Sequence, residues 1–474
     1  MSASSRISFY GGVNEIGGNK ILLEDKGTRI LLDFGKSFKA RSRFYEWNET
    51  PRVGNGIGDF LTMGLLPDVS GLYREDLLSL AGRKTKEDRL VEALFLSHAH
   101  SDHADYISFL REDIEVYMGE TTKRIIESLE FERNATLEFE ITGYKQRPSE
   151  RSSTRIPRKI STFKTGSKNI AIDSIEIEPI HVDHSIPGCY GFIIRTSQNV
   201  IVYSGDLRIH GKNPSLTRDF IEMAASAKPD LMLCEGTRID ETSITKERDV
   251  FDTCKYFVER SREHLVYADY SYKDVDRFST FYNIAKSTGR SLVIHPKVAR
   301  YLTSLSSAGN PLKLPPLNQN ILIYKPRGKS GAYDDRDYPK EDREIYDANK
   351  STICTPDHVK HDPSKVIIAL GSNHIDQLVD IVPSEGLYLH STSEPFNEEG
   401  EMSEEKMYNW LERFGLQRIH VHCSGHASGR DLNEIVNSVQ PKFLVPIHTE
   451  HEGLFKLLHG SKVKLPELMK EMTL

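Results

Sequence analysis

The feature that most constrains this chain is an apolar strand that ends in metal-competent side chains. Residues 90–97, LVEALFLS, form an apolar run of buried-strand length. Ser97-His98-Ala99-His100-Ser101-Asp102-His103 follows at once. A tight loop after a strand can aim alternate residues the same way. His98 and His100 can then grip one ion, while Asp102 and His103 turn toward a second. A lone histidine is usually structural, but four ligand-type groups within six residues at a strand end point to a metal site. Three more candidates also follow apolar runs: His184 in HVDHSIPG, Asp206 in VYSGD and His448 in LVPIH. Singly, Asp206 reads equally well as a turn residue and His448 as a core histidine. With the cluster they complete a binuclear set. His98, His100 and His184 hold one ion, Asp102, His103 and His448 the other, and Asp206 bridges them. Imidazole and carboxylate donors suit two zinc ions, with manganese as the alternative. His181 reads as a residue behind the ligands or a structural one.

A strand of this kind needs a sheet around it, and the remaining pattern supplies one. The start, ISFYGGVNEIGGNKILLEDKGTRILLDFG, reads as short strands split by Gly-Gly and Lys-Gly turns. Its glycines lack the spacing of a dinucleotide fingerprint. Residues 36–90 read as a long irregular elaboration over one sheet edge, amphipathic around 72–80. YISFLRED reads as helix, IEVYMG as strand, TTKRIIESLE as helix, NIAIDSIEIEPIHVDHS as a strand pair and GFIIRTSQNVIVYSGD as a hairpin. From about residue 244 helix-then-strand units take over, which suggests a doubly wound insertion of roughly 150 residues. The expected division is 1–240, an inserted 241–400, and a return over 401–474.

Composition limits the class. The 474 residues are 38% hydrophobic and 28% charged, ordinary for a globular domain, and no apolar run reaches the ~18 residues of a membrane span. Five cysteines with no Cys-x-x-Cys pair argue against a disulfide framework, and with no signal pattern at the start they lead us to expect the cytoplasm and no membrane. A net charge of -7 excludes a uniformly basic nucleic-acid coat but not a local groove. Residues 144–168 carry eight basic residues against one acid. They read either as a phosphate-backbone contact or as a solvated loop. The acidic stretch 397–406 reads as a solvated loop.

With these residues in view, the chain resembles the metallo-β-lactamase superfamily, its β-CASP branch, and within that ribonuclease J. Residues 98–103, His184, Asp206 and His448 match the superfamily's ligand blocks. The opening Gly11-Gly12-Val13-Asn14-Glu15-Ile16-Gly17-Gly18-Asn19, the block His422-Cys423-Ser424-Gly425-His426-Ala427-Ser428, and Pro441-Lys442-Phe443-Leu444-Val445-Pro446-Ile447-His448 resemble the narrower family. The resemblance implies an α/β fold: an αββα sandwich with an inserted doubly wound β-CASP domain. The branch's acidic motif falls on Glu235, its second motif on His426 and its third on His448. Histidine at the third motif implies RNA rather than DNA as substrate. Asp33 in ILLDFG matches an aspartate that orients a ligand; a turn cap is its plainer reading.

The implied chemistry is metal-dependent phosphodiester hydrolysis of RNA, 5′-to-3′ exonucleolytic with an endonuclease mode. Asp102, His426 and Glu235 are expected to carry it, with Glu235 orienting His426. Ser424, Gly425, Ala427 and Ser428 are expected to bind phosphate or RNA, against the plainer reading of the two serines as turn formers. Arg277 and Lys297 read as RNA-backbone contacts or as solvated helix residues. A shortened form without the bacterial C-terminal domain resembles the archaeal members. RNA is the expected partner, and a homodimer is left open. The rivals are a DNA exonuclease of the same superfamily, a non-catalytic RNA-binding paralogue, and a small-molecule hydrolase, which would not need the insertion.

Overall fold

A computed structural model describes residues 5–45, 49–85, 88–132, 136–148, 154–306, 312–393 and 398–474. The chain forms two compact units. One comprises Met1–Ile209, Asn213–Ser243 and Gly425–Leu474; the other comprises His210–Lys212 and Ile244–Ser424.

The first unit is two sheets packed face to face. One sheet runs, in spatial order, Glu471–Thr473, Arg6–Gly11, Lys20–Asp25, Thr28–Phe34, Ala93–Leu96, Glu115–Gly119 and Ile160–Phe163. The other runs Phe443–Ile447, Leu231–Glu235, Val200–Tyr203, Cys189–Arg195, Ile175–Val182 and Ile170–Ile172. Alternate residues of both sheets, among them Phe9, Leu32, Phe95, Phe192, Tyr203 and Val445, merge into one buried core. Helices Glu120–Glu132 and Pro214–Ser226 cover the outer faces, giving the expected αββα sandwich. In the second sheet, Val200–Tyr203, Leu231–Glu235 and Phe443–Ile447 are parallel neighbours. Their carboxyl ends therefore lie side by side, which brings Asp206, Glu235 and His448 to one edge.

The second unit is an all-parallel seven-stranded sheet in the order Ile353–Cys354, Ile321–Tyr324, Ser291–Ile294, Val366–Ala369, Leu265–Asp269, Gly386–His390, Leu416–His420. Strand Leu265–Asp269 is buried along its whole length, as a strand covered on both faces must be. This is the doubly wound unit expected from the helix-then-strand pattern. Its end was misplaced in the sequence. Leu416–His420 pairs with Gly386–His390 as the edge strand, so the chain returns at Gly425 rather than at 401.

Three local expectations also change. The acidic stretch expected as a loop begins the helix Glu398–Arg413, whose apolar side packs Met407 and Leu411 into the second core; residue 397 lies outside the described residues. YISFLRED forms only the 3₁₀ turn Asp105–Phe109. Where it is described, the basic segment is partly tied down by ion pairs within the fold, while Lys164 and Lys168 are exposed. Arg147 pairs with Glu140 at 2.8 Å, Lys159 with Glu115 at 2.5 Å, and Arg155 with Glu130. Arg158 is buried and donates to the carbonyls of Ile141, Arg111 and Leu110. Arg151 lies outside the described residues.

Arg147 shares Glu140 with Arg74, which has no exposed surface. Its guanidinium binds Asp76 at 2.7 Å, Glu140 at 3.1 Å and the carbonyls of Ser108 and Lys145, and it lies 4.0 Å over the Tyr144 ring. The elaboration over residues 36–90 is thereby tied to the segment at 140–158. Arg74→Ala should cost ~3–5 kcal/mol, the penalty for breaking a buried ion pair from one side. Urea unfolding of the two proteins reads that difference directly; a loss under 1 kcal/mol would show that the network is dispensable.

Candidate metal centre

The centre is built from residues of the first unit that emerge at strand carboxyl ends. Strand Ala93–Leu96 delivers Ser97 and His98, and Thr28–Phe34 delivers Asp33. Asp33 adopts φ 55°, a left-handed conformation that costs a non-glycine residue ~1–2 kcal/mol. It is held there by what its carboxylate accepts: Ser97 N–H and Oγ–H at 2.7 Å each, His103 Nδ1–H at 2.7 Å and Tyr203 O–H at 2.5 Å. His448 shares the left-handed conformation, at φ 53°, and its N–H donates to Gly12 O at 2.9 Å.

These contacts fix the imidazole tautomers. A carboxylate only accepts, so His103 donates from Nδ1 and presents a lone pair at Nε2. Ser97 Oγ spends its proton on Asp33, so at 3.0 Å it must accept from His98 Nδ1. His184 Nδ1 lies 2.5 Å from Gly425 O and must donate to it. His98 Nε2 and His184 Nε2 are therefore both lone pairs. Both face His100 Nδ1, at 3.0 and 3.1 Å. One proton on His100 can satisfy only one of them, whereas one cation satisfies all three.

The second group meets around a carboxylate. Asp206 Oδ2 lies 3.2 Å from His103 Nε2, 3.5 Å from His98 Nε2, and 3.8 Å from both His184 Nε2 and His448 Nε2. His448 Nε2 is 3.1 Å from Asp102 Oδ2. Yet Asp206 Oδ1 and His103 Nε2, both buried, lack a hydrogen bond of acceptable geometry among the described residues. Buried orphaned acceptors are costly unless something positive lies between them. His98, His100, His184 and Asp206 form one potential ligand group, and Asp102, His103 and His448 a second. The residues present thus fit a metal centre.

Electrostatics agree. Burial first, then His103, pushes His98 well below the usual imidazole range; burial and His100 do the same to His184. Asp206 is held well below the ordinary carboxylate range: His103 and His448 outweigh the effect of burial. Neutral imidazoles and ionised carboxylates are the forms that bind metal. His103 differs: burial works against its charge, but Asp206, Asp102 and Asp33 raise it well above its normal value, so a metal would have to displace a proton from that ring.

Glu235 has no exposed surface and lies 3.2 Å from His426 Nδ1, with further acceptance from Thr237 N–H at 3.0 Å and Leu207 N–H at 3.3 Å. Burial lowers His426, but Glu235 and Asp206 more than offset it and hold the ring at about 9.

Two of the expected phosphate-binding residues, Ser428 and Ala427, are corrected. Ser428 is buried and caps helix Gly429–Val439 by accepting from Asp431 N–H at 3.2 Å. Ala427 N–H is spent on Leu207 O at 2.7 Å. Gly425 acts through its carbonyl on His184, and a Cβ there would lie 2.7 Å from Ser185 Oγ. Ser424 belongs to the second unit, where its carbonyl faces His210 Nε2 at 3.1 Å. Arg277 is neither an RNA contact nor a solvated residue. It is buried against Glu247 at 3.0 Å, with Ser391 O and Cys423 O as further acceptors. Lys297 lies 4.8 Å over the Tyr272 ring. His181 stacks on Tyr190 at 4.9 Å.

Sequence reasoning missed Ser97, Tyr203 and Thr237, whose hydroxyl lies 2.8 Å from His448 Nδ1 and 3.1 Å from His426 Nδ1. A hydroxyl beside each motif was the only signal. It also undervalued two glycines. A Cβ at Gly35 would sit 1.7 Å from Asp102 O, and one at Gly17 2.6 Å from Asp102 Oδ2, so the Asp102 loop requires both positions bare.

Comparison with known proteins agrees with this geometry. Residues 67–253 match a beta-lactamase superfamily domain, and residues 414–459 match a Zn-dependent metallo-hydrolase RNA specificity domain. Ribonuclease J of Mycoplasma genitalium is 21% identical over 97% of this chain and 69% of its own. That of Mycolicibacterium smegmatis is 23% identical over 94% and 68%. That of Pyrococcus abyssi is 21% identical over 95% and 90%. A crystal structure of a protein of unknown function from Enterococcus faecalis V583 shares the fold over all of both chains, with a TM-score of 0.77 at 23% identity.

Asp33→Asn should test the tautomer argument. An amide nitrogen would face a donor, and metal affinity should fall ~10- to 100-fold, as for other residues that orient ligands. Competition with a fluorescent zinc chelator measures it; unchanged affinity would mean that Asp33 only shapes the turn.

Proposed function

The chain belongs to the metallo-β-lactamase superfamily, in its β-CASP, ribonuclease J-like branch, and from that membership and the geometry of the centre we propose a hydrolase of RNA phosphodiester bonds with a binuclear site. The observation that carries this reading is the set of imidazole lone pairs facing one another around Asp206. The second unit is read as the β-CASP domain, and the cytoplasm as the compartment.

In this reading His98, His100 and His184 would hold one zinc and Asp102, His103 and His448 the other, with Asp206 shared between the two groups and manganese as the alternative occupant. When bound, such a pair lowers the pKa of a water and stabilises charge on the attacked phosphate. The chain's own residues do the rest. Asp33, Ser97 and Gly425 hold the rings in the tautomers that bind. Glu235 anchors Nδ1 of His426, leaving the other ring nitrogen for a phosphate oxygen or the leaving group. Water adds to phosphorus and gives up a proton to solvent, the bond to the 3′ oxygen breaks, and that oxygen takes a proton from His426, which solvent then restores. The products are a 5′-phosphate and a 3′-hydroxyl. Degradation from the 5′ end is the main mode, with internal cleavage as a second.

The intact ligand set disfavours a non-catalytic paralogue. The discriminating experiment uses a 5′-monophosphorylated RNA labelled at either end, and matched DNA, with zinc or manganese. RNA should be shortened from its 5′ end and DNA left intact. A protein that cleaves DNA as fast, or neither strand with either metal, would contradict the reading.

The two histidines in the last motifs should fail differently. His448→Ala should lose metal as well as rate. His426→Ala should keep its metal and its fold while single-turnover cleavage drops ~100- to 10,000-fold, the range for a lost general acid. Elemental analysis and melting temperature on both variants check it. Loss of metal from His426→Ala would move that residue among the ligands, as its approach to 4.0 Å from Asp206 Oδ2 permits.

A further inference from the structure

The elaboration that begins at residue 36 places a run of aromatic and basic residues beside the metal centre. The run is Lys36-Ser37-Phe38-Lys39-Ala40-Arg41-Ser42-Arg43-Phe44-Tyr45. It is tied to the loops of the centre at two points, one through its backbone and one through a side chain. Lys36 N–H donates to Ser101 O at 3.0 Å, next to Asp102. Lys39 Nζ reaches Glu450 at 2.6 Å, two residues past His448. Ser37 caps the short helix Phe38–Ser42 and donates to Glu15 at 2.5 Å, while Arg41 and Lys36 converge on Glu138 at 2.8 and 3.4 Å.

On that tethered run, the rings stand in solvent. Phe38 is 43% exposed and Phe44 40% exposed. Each carries a cation near its face: Lys36 lies 5.9 Å from the Phe38 centroid and Arg43 5.5 Å from that of Phe44. A single exposed phenylalanine is ordinary. Two within seven residues, flanked by exposed Lys39 and Arg43 and tied to both ligand loops, need an occupant that is flat, apolar on its faces and negatively charged along its edge. A single-stranded nucleic acid has those properties, because bases stack on rings while cations track the phosphates.

We propose that residues 36–45 form a stacking platform for unpaired bases of the RNA strand as it approaches the metal centre. Phe38 and Phe44 take bases, and Arg43 a neighbouring phosphate. This rests on the reading of the chain as an RNA hydrolase.

The test compares two 5′-phosphorylated strands of equal length on the metal-loaded enzyme, one unpaired RNA and one abasic. Stacking makes the wild-type KM lower for the base-bearing strand. Replacing both rings, Phe38→Ala with Phe44→Ala, should raise that KM ~10-fold or more and remove the preference over the abasic strand. Phe38→Tyr with Phe44→Tyr should keep the preference. Because both rings are exposed, melting temperature should hold; should the alanine pair melt early, Phe44→Ala alone gives the same comparison. A preference that survives loss of the rings overturns the proposal while leaving the hydrolase reading intact. Wild-type protein that cleaves no RNA overturns the hydrolase reading, and this proposal with it.

Discussion

The carboxylate of Asp33 accepts four hydrogen bonds inside the core of the first unit, and the arrangement of the centre follows from it. By taking the proton of Ser97 Oγ it obliges that oxygen to accept from His98; by taking the Nδ1 proton of His103 it bares that ring's other nitrogen. Two of the imidazoles thus have their metal-facing atoms decided by one buried acid. Gly425 O decides a third. The cost is a left-handed aspartate and buried acceptors that lack a hydrogen bond among the described residues. A site that gives up stability in this way is organised for an ion and for chemistry.

The sandwich explains why distant segments can meet at such a point. Parallel neighbours in the second sheet put their carboxyl ends in register, so that residues 206, 235 and 448 converge although as many as 242 positions separate them. The first sheet brings Asp33 and His98 from adjacent parallel strands. The glycines at 17 and 35 then let two backbone segments close on Asp102. The insertion between Ile244 and Ser424 adds a sheet and core of its own without interrupting these strands.

Much of this was legible in the sequence where a pattern has one physical meaning. A buried strand ending in His-x-His-x-Asp-His admits few readings, and helix-then-strand alternation marks a parallel sheet. Legibility failed where one residue type serves two purposes. Ser428 was expected at a phosphate and caps a helix, because a serine on a turn before a helix looks the same in both roles. Arg158 and Arg277 were judged by charge, but each is buried, among carbonyls in one case and against Glu247 in the other. The return to the first unit was placed too early because the Leu416–His420 edge strand does not announce its sheet.

The most direct measurement is RNA cleavage by protein stripped of metal and then titrated with zinc or manganese, with circular dichroism followed in parallel. The account requires a stripped protein that stays folded, cleaves nothing, and recovers full cleavage as two equivalents are added. Full cleavage by the metal-free protein would contradict it.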